Sequence, residues 1–173
     1  MADRQPTFMF YSGSLDCAPG LGQCEYIHPM DHAKYADLAQ IPNWRQKLSN
    51  FYRSPFELDG HTWNSVEHYF HANKTSNGDD YFQFTSEGQL GNQYGATIKR
   101  AGRNIIMTKE ALIAWDNGKS KEVLFKAQTA KFEQNEEPMC ALLLTSGALL
   151  THRASPRSRI VVEHDLMRLR DEW

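Results

Sequence analysis

The stretch Phe56-Glu57-Leu58-Asp59-Gly60-His61-Thr62-Trp63 carries the clearest β-strand signal in the chain. Two short runs that each contain apolar residues flank the pair Asp59-Gly60. This pair tolerates the positive φ angles that both central positions of a type I′ turn require. The stretch therefore predicts a two-stranded β-hairpin.

A helix is expected directly after this hairpin. Asn64 is a candidate N-cap, and Glu67 follows at the third helical position, which is the pattern of a capping box. Apolar residues repeat at helical spacing as far as about Lys74. This pattern gives Glu67 a structural explanation that must be weighed against any chemical role.

The remaining elements follow from apolar spacing and end signals. Residues 7–12 are typical of a short buried strand, and Gly102 stands where a C-terminal cap glycine is favoured. Further helices are predicted for residues 91–103, 119–134, 138–150 and 162–170. Several helices around one small hairpin predict a mainly helical α+β fold, in a single domain over residues 1–173.

Composition excludes several classes of protein. The chain has 173 residues and a formal charge of −2, so its net field does not attract a polyanion and any nucleic-acid contact must be local. The longest nearly apolar run, Cys140–Leu150, is too short to span a bilayer, and Met1–Arg4 lacks a signal-peptide core. Three cysteines without compact spacing argue against a disulfide scaffold. We expect a cytoplasmic protein without membrane contact.

Four residues near the N-terminus have the chemistry of zinc ligands: Cys17, Cys24, His28 and His32. Their C-x6-C-x3-H-x3-H spacing is not a common zinc pattern, because structural sites usually begin with tighter cysteine pairs. Pro29 also interrupts any helix that would aim both histidines together. The sequence therefore predicts no metal site.

The loop around Gly20 and Gly22 follows the predicted first strand. Glycines at such a place allow backbone N–H groups to approach phosphate oxygens, which makes both residues candidates for ligand binding. Glycine and proline mark tight turns more often than phosphate sites. The turn is the alternative that the residues alone favour.

A chain of short motifs resembles the NADAR (YbiA-like) family in order and spacing over residues 48–173. The motifs are Leu48-Ser49-Asn50-Phe51, Ser54-Pro55-Phe56, Asp59-Gly60, Trp63, Ser65-Val66-Glu67-His68-Tyr69-Phe70-His71-Ala72-Asn73-Lys74, Ala101-Gly102-Arg103, Trp115, Ala130-Lys131-Phe132-Glu133-Gln134-Asn135, Leu142-Leu143-Leu144-Thr145 and the terminal Leu166-Met167-Arg168-Leu169-Arg170. Several motifs matched in order are far more specific than one. The Asp-x-x-Trp-Gly segment of many family members is replaced here by residues 152–159, rich in His and Arg. The chain thus resembles a branch of the family.

The resemblance implies an N-glycosidase that needs no cofactor and hydrolyses a ribosyl C–N bond. The expected substrate is ADP-ribosylated guanine, in nucleic acid or in a nucleotide. Two alternatives stay open: cleavage of the ribosylamine intermediates of early riboflavin synthesis, and a non-catalytic module that binds ADP-ribose. The expected partner is therefore an ADP-ribose-containing nucleotide or an ADP-ribosylated nucleic acid.

Three residues are catalytic candidates in the light of this resemblance. Breaking a ribosyl C–N bond builds positive charge on the sugar, and a carboxylate such as that of Glu67 stabilises it. Lys74 or Lys131 would supply a nucleophilic amine, since a desolvated lysine has a lowered pKa. The alternatives are a solvated cation at a helix end for Lys74 and a lysine whose ammonium snorkels to water for Lys131.

The remaining candidates would bind the ligand. Asn50 and Phe51 suit a base edge and an aromatic stack, while arginines suit a pyrophosphate, although arginines at helix ends are commonly ordinary surface residues. Trp115 is included although large aromatics usually pack in a core. The full set of ligand-binding candidates is Asn50, Phe51, Gly20, Gly22, His71, Arg103, Trp115, His152 and Arg157.

Overall fold

A computed structural model describes residues 4–154 and 157–173. The chain forms two compact units. The terminal unit comprises the residues up to Tyr52 and those from Glu136 onward, and the central unit comprises Arg53–Asn135. The expectation of a single domain over residues 1–173 stays a prediction.

Five strands and eight α-helices make up the regular structure of the described residues. The strands are β1 (Thr7–Phe10), β2 (Phe56–Leu58), β3 (His61–Trp63), β4 (Leu149–Arg153) and β5 (Ile160–Val162). The α-helices are α1 (Trp44–Leu48), α2 (Val66–Ala72), α3 (Gly78–Gln83), α4 (Ala96–Arg103), α5 (Lys109–Ala114), α6 (Ser120–Gln134), α7 (Glu136–Leu143) and α8 (His164–Asp171). Two 3₁₀ segments, Pro29–Tyr35 and Leu38–Gln40, precede α1, and a π-type turn, Trp115–Lys119, joins α5 to α6.

The terminal unit is built on a three-stranded sheet with the order β1-β4-β5. β1 runs parallel to β4, and β4 runs antiparallel to β5. Phe8 of β1 is fully buried and meets the rings of Tyr35 and Trp44 at centroid distances of 4.9 and 5.2 Å. Edge-on aromatic packing of this kind closes the sheet against α1.

The central unit combines the hairpin β2–β3 with the helices α2–α6. Trp63 is fully buried at the end of β3 and packs edge-on against Tyr69 of α2, at a centroid distance of 5.1 Å. α2 also packs against α4 and α6. Burying one such apolar side chain stabilises a fold by about 1.5–3 kcal/mol. Because α2 packs against β3, α4 and α6, its position in this core is fixed. This matters for the site, since α2 carries the candidate carboxylate of Glu67.

The structure confirms the predicted α+β class, the hairpin turn, the first strand and three of the predicted helices. Asp59 and Gly60 have φ angles of 52° and 78°, as a type I′ turn requires, and the strand predicted near residues 7–12 is β1. Helices predicted over 91–103, 119–134 and 162–170 are present as the shorter α4, as α6 and as α8. None of the helices in the described residues is both long and apolar enough to cross a membrane.

Three predicted helix details are wrong. Ser65, not Asn64, precedes α2, because the Asn64 side chain is buried and donates to the carbonyl of Gly91 at 2.8 Å. Gly102 lies inside α4 instead of capping it, since the helix continues to Arg103. The helix predicted for 138–150 ends at Leu143, and Leu149 and Leu150 belong to β4, where pairing with β1 overrides local helical spacing.

Candidate functional site

Glu67 lies in the first turn of α2 with its side chain 16% exposed. The capping box that would have explained it structurally is not formed, because Ser65 occupies the cap position and its hydroxyl contacts Nδ1 of His68 at 2.7 Å. The Glu67 carboxylate instead lies 3.0 Å from Nε2 of His71, one helical turn on. The structure thus leaves this carboxylate available for chemistry.

Lys74 follows α2 directly and is partly enclosed. Its Nζ lies 5.3 Å from the ring centroid of Phe70 and 5.9 Å from that of Trp115. Burial lowers the pKa of Lys74, and the positive charge of Arg103 lowers it further, whereas the Glu67 carboxylate opposes the shift. The candidate carboxylate and this candidate amine are therefore electrostatically coupled, and the amine is not an ordinary solvated cation.

A cleft of about 310 Å³ lies beside this amine. We call it the Lys74 cleft, and it is lined by Lys74, Gly102, Arg103, Ile105, Met107, Leu112 and Trp115. Trp115 is only 8% exposed and belongs to the core of the central unit, so one ring serves both the core and the cleft wall. Two cations with an aromatic wall suit an anionic, ring-containing ligand.

Lys131 on α6 is fully buried. This position excludes the alternative in which its ammonium reaches water. Nζ lies 4.8 Å from the ring centroid of Phe132, and burial lowers the pKa of the amine to about 7. Burial thus favours the neutral amine of Lys131, which is the form that can attack carbon.

The structure brings five predicted site residues together in the central unit, and Lys131 lies in the same unit on a helix that packs against α2. The five are Glu67, His71, Lys74, Arg103 and Trp115. The other candidates belong to the terminal unit: Gly20, Gly22, Asn50, Phe51, His152 and Arg157. All these roles stay predictions.

A carboxylate side chain of the protein itself already accepts hydrogen bonds from the glycine loop of the terminal unit. The N–H groups of Gly20 and Gly22 each donate to Oε2 of Glu25 at 3.0 Å. The same carboxylate, fully buried, forms two hydrogen bonds of 2.7 Å with the Arg45 guanidinium. An internal carboxylate thus occupies the place proposed for phosphate, which favours the tight-turn alternative.

The other candidates of the terminal unit lie in three places. Asn50 and Phe51 are half-buried in the turn that follows α1, where the Phe51 N–H donates to the Ser49 hydroxyl at 3.3 Å. His152 lies on β4 with Nδ1 3.6 Å from a carboxylate oxygen of Glu163, whose pKa is raised by burial. Arg157 is exposed in the turn before β5.

The candidate zinc ligands do not assemble among the residues that the structure describes. Over residues 4–154 and 157–173, no group of three or more His, Cys, Asp or Glu side chains is placed to hold a metal ion. Nδ1 of His28 instead accepts a hydrogen bond from the N–H of Met30 at 3.3 Å, as the cap of a 3₁₀ segment.

A larger cleft of about 600 Å³ lies beside the hairpin. Three carboxylates, those of Glu57, Asp59 and Glu87, are among its lining groups, together with His61 and Phe82. This acidic lining repels phosphate, whereas the smaller Lys74 cleft presents two cations to an anionic ligand.

Sequence reasoning missed two polar clusters. One is the buried Glu25–Arg45 pair, and the other joins Asp59 to Tyr69 at 2.6 Å and to Lys126 at 2.7 Å. Both connect residues at least 10 positions apart, which no local spacing pattern signals. The hairpin pattern identifies Asp59 only as a turn residue.

Comparison with known proteins extends the geometric result. The profile of the NADAR domain family matches residues 40–161. N-glycosidase YbiA from Shigella flexneri serotype 5b is 36% identical over 112 residues, and its counterpart from Escherichia coli K12 is 32% identical over 110 residues. Each match covers 60% of this chain and 59% of the relative, so it spans less than two thirds of those proteins.

Two further similarities add to this result. Protein irg-1 of Caenorhabditis elegans is 43% identical over 63 residues, which cover 36% of this chain and 29% of that protein. The NMR structure of the E. coli protein YbiA superposes with a TM-score of 0.58, covering 98% of this chain and 86% of that one at 23% identity. At this identity the structural likeness supports the fold.

Proposed function

Because the chain belongs to the NADAR domain family, we propose that it is an N-glycosidase that hydrolyses a ribosyl C–N bond. The proposed substrate is ADP-ribosylated guanine, from which ADP-ribose is released. The single observation that carries the proposal is the partly buried Glu67 carboxylate, coupled electrostatically to Lys74 beside a cleft that also presents Arg103. The N-glycosidase name of the bacterial relatives supports the same reaction class.

The Glu67 carboxylate would act at the anomeric carbon. As the bond between C1 and the base nitrogen breaks, positive charge develops on the sugar, and a fixed carboxylate stabilises it. The base nitrogen takes a proton and leaves, while a water molecule forms the new bond to C1 through its oxygen and releases a proton, so that one water is consumed without a net change in protons. The 16% exposure of the Glu67 side chain keeps most bulk water away and strengthens this electrostatic effect.

A lysine amine offers a second route to the same products. Nζ of Lys74 or Lys131 would bond to C1 as the bond to the base breaks and the base nitrogen takes a proton. Opening of the sugar ring then gives a Schiff base, which water hydrolyses to free the amine. Both lysines have lowered pKa values, Lys131 to about 7, so both have more neutral amine than an exposed lysine.

A local concentration of positive charge supports nucleic acid as the carrier of the modified base. Residues 99–109 contain four cations, Lys99, Arg100, Arg103 and Lys109, and no acidic residue. None of the four forms an ion pair with any residue that the structure describes, and Ile106 between them is 96% exposed. Such a cationic surface with an exposed apolar side chain suits a phosphate backbone and an unstacked base.

Incubation with ADP-ribosylated guanosine tests the proposal, with released ADP-ribose and guanosine measured by liquid chromatography and mass spectrometry. We expect turnover by the unaltered protein and a fall in kcat of about 10²–10⁴-fold in Glu67→Gln. Glu122→Gln is the matched control, because it removes an exposed carboxylate of the same unit. Tight binding without any release would favour the non-catalytic module instead.

Substrate competition ranks the two glycosidase alternatives. A pyrimidine ribosylamine phosphate is offered together with ADP-ribosylated guanosine in one assay. We expect preferential release of ADP-ribose. Preferential cleavage of the ribosylamine would move the substrate to riboflavin chemistry while leaving the reaction class intact.

Borohydride reduction separates the two lysines. If the Schiff-base route operates, reduction during turnover links the substrate covalently to the protein. Loss of the adduct in Lys131→Ala but not in Lys74→Ala would assign the amine to Lys131, and the reverse pattern would assign it to Lys74. Absence of any adduct from the active, unaltered protein would exclude the route and leave direct attack by water.

A further inference from the structure

His71 is a buried imidazole whose polar atoms are incompletely satisfied. The side chain is 5% exposed, and neither Nδ1 nor Nε2 makes a hydrogen bond with any residue that the structure describes. Nε2 nevertheless lies 3.0 Å from the Glu67 carboxylate, four residues earlier on α2. A buried polar ring usually has aligned partners, so its position beside Glu67 needs an explanation.

The approach of α4 sets the position of this ring. Gly102 faces it so closely that a Cβ atom at residue 102 would lie 2.1 Å from Nδ1 and 2.3 Å from Cγ of His71. Gly102 lies inside α4, where glycine is less favourable than alanine, and it has no turn to form there. Room for the His71 ring is the physical reason for glycine at this position.

We propose that His71 is a positioning residue that holds the Glu67 carboxylate within electrostatic reach of Lys74, and that Gly102 is required to admit its ring. An unrestrained glutamate samples several rotamers, and only some of them place the carboxylate near the reacting carbon. The i,i+4 contact selects one of them, and α4 closes over the ring so that it cannot swing away. His71 thus acts on the substrate through Glu67 instead of binding the ligand itself.

This positioning role rests on the proposed function for its catalytic meaning, but the contact can be measured without activity. The ¹⁵N chemical shifts of the His71 ring are recorded in the unaltered protein and in Glu67→Gln. We expect both ring nitrogens to shift when the carboxylate is replaced, and to shift again in Gly102→Ala. Unchanged His71 shifts in Glu67→Gln would overturn the proposal, whatever the activity of the protein.

Kinetics then test the positioning role with a conservative pair. A glutamine at position 71 keeps a polar side chain that can contact Glu67 at the same helical spacing, whereas leucine keeps bulk without a polar atom. We expect His71→Leu to lower kcat about 10–100-fold with KM changed less than about twofold, and His71→Gln to recover most of kcat. Equal losses in both variants would assign His71 a packing role only and overturn the proposal.

A double-mutant cycle tests the link to Gly102. Gly102→Ala is compared in the unaltered background and in His71→Ala, where the ring that would collide is absent. We expect Gly102→Ala to lower kcat about 10-fold or more in the first background and by less than about twofold in the second. Equal effects in both backgrounds would overturn the role of Gly102.

The readouts separate failure of the positioning role from failure of the proposed function. If the unaltered protein releases no ADP-ribose and cleaves no ribosylamine, the proposed function fails, while the chemical shifts still decide whether His71 holds Glu67. If Gly102→Ala does not fold, the His71→Gln and His71→Leu pair decides the positioning role by itself.

Discussion

The two units differ in how completely their buried charged and polar side chains are hydrogen-bonded. In the terminal unit, Arg45 donates to both carboxylate oxygens of Glu25 and to the carbonyls of Cys17 and Ala18, while the same carboxylate accepts from backbone N–H groups. In the central unit, Glu67 and His71 meet without an aligned hydrogen bond. The hydrogen-bonding groups of the Glu25–Arg45 pair thus have partners, whereas the ring nitrogens of His71 have none among the described residues.

This difference separates groups that build the fold from groups available for chemistry. A buried charge with all its partners is held in one state, and removing one partner is costly. A buried group whose pKa is shifted by desolvation is suited to proton transfer or to reaction with a ligand. Lys131, with a pKa of about 7, and Lys74 belong to this second class. Three measurements test this distinction, and a fourth tests an exposed cationic surface for contrast.

The largest effect is expected from breaking the Glu25–Arg45 pair. Arg45→Met leaves the fully buried Glu25 carboxylate without its cation and should lower the free energy of unfolding by about 3–5 kcal/mol. Urea titration followed by tryptophan fluorescence measures the loss. The matched control, Arg168→Met, removes an arginine whose side chain is 53% exposed and should change stability by less than about 1 kcal/mol. Equal losses would remove the distinction between the two kinds of charge.

A pH-dependent effect of about 2 kcal/mol is expected from Lys131. Because the folded pKa of about 7 lies below the ordinary lysine value of 10.5, the native protein binds fewer protons than the unfolded chain between these values. Stability contributed by this group therefore rises with pH across that window, by about 2 kcal/mol from pH 7 to pH 9. Lys131→Met should remove this rise, which urea titrations at the two pH values measure. An unchanged slope in the variant would show that Lys131 stays protonated in the fold.

A smaller effect of about 1 kcal/mol is expected at the hairpin. Tyr69→Phe removes the hydroxyl that donates to Asp59 at 2.6 Å, while the buried ring stays in place. One such hydrogen bond contributes about 0.5–1.5 kcal/mol net, or somewhat more when the acceptor is charged. Thermal unfolding by circular dichroism measures the change. Lys126→Gln, on the half-exposed side of the same carboxylate, should cost less, and a larger loss there would reverse the assignment.

The smallest effect is expected on the surface formed by residues 99–109. Replacing Arg100 and Lys109 by glutamine should weaken binding of ADP-ribosylated single-stranded nucleic acid and lower the dependence on log salt by about one unit for each phosphate that is no longer bound. Turnover of ADP-ribosylated guanosine should not change. Fluorescence anisotropy at several salt concentrations measures binding. An unchanged salt dependence would show that this surface does not bind the backbone.

The sequence is most informative where the interaction is local. The hairpin turn needs two adjacent residues with positive φ, and Asp59-Gly60 meets this requirement within two positions. The spacing of apolar residues along 15 positions predicts α6 in the same way. The helix predicted for 138–150 shows the limit: it is present as far as Leu143, but residues 149 and 150 pair with Thr7 and Phe8 across the chain.

The candidate site is only partly predictable for the same reason. The i,i+4 spacing of Glu67 and His71 places them on one helical stripe, and the structure brings them to 3.0 Å. Local spacing wrongly makes Gly102 a cap, because its partner His71 lies on another helix. The glycine loop is ambiguous for a similar reason, as its acceptor Glu25 is identified only by three-dimensional contact.

Residue types at short or ordered spacings were enough to establish the mainly helical α+β class, the hairpin and the resemblance to the NADAR family. The enclosure of Lys131, the place of His71 between Glu67 and Gly102, and the filling of the glycine loop by Glu25 emerged only once the chain was folded. Burial and electrostatic coupling are properties of packing between distant segments, and one-dimensional spacing does not encode them.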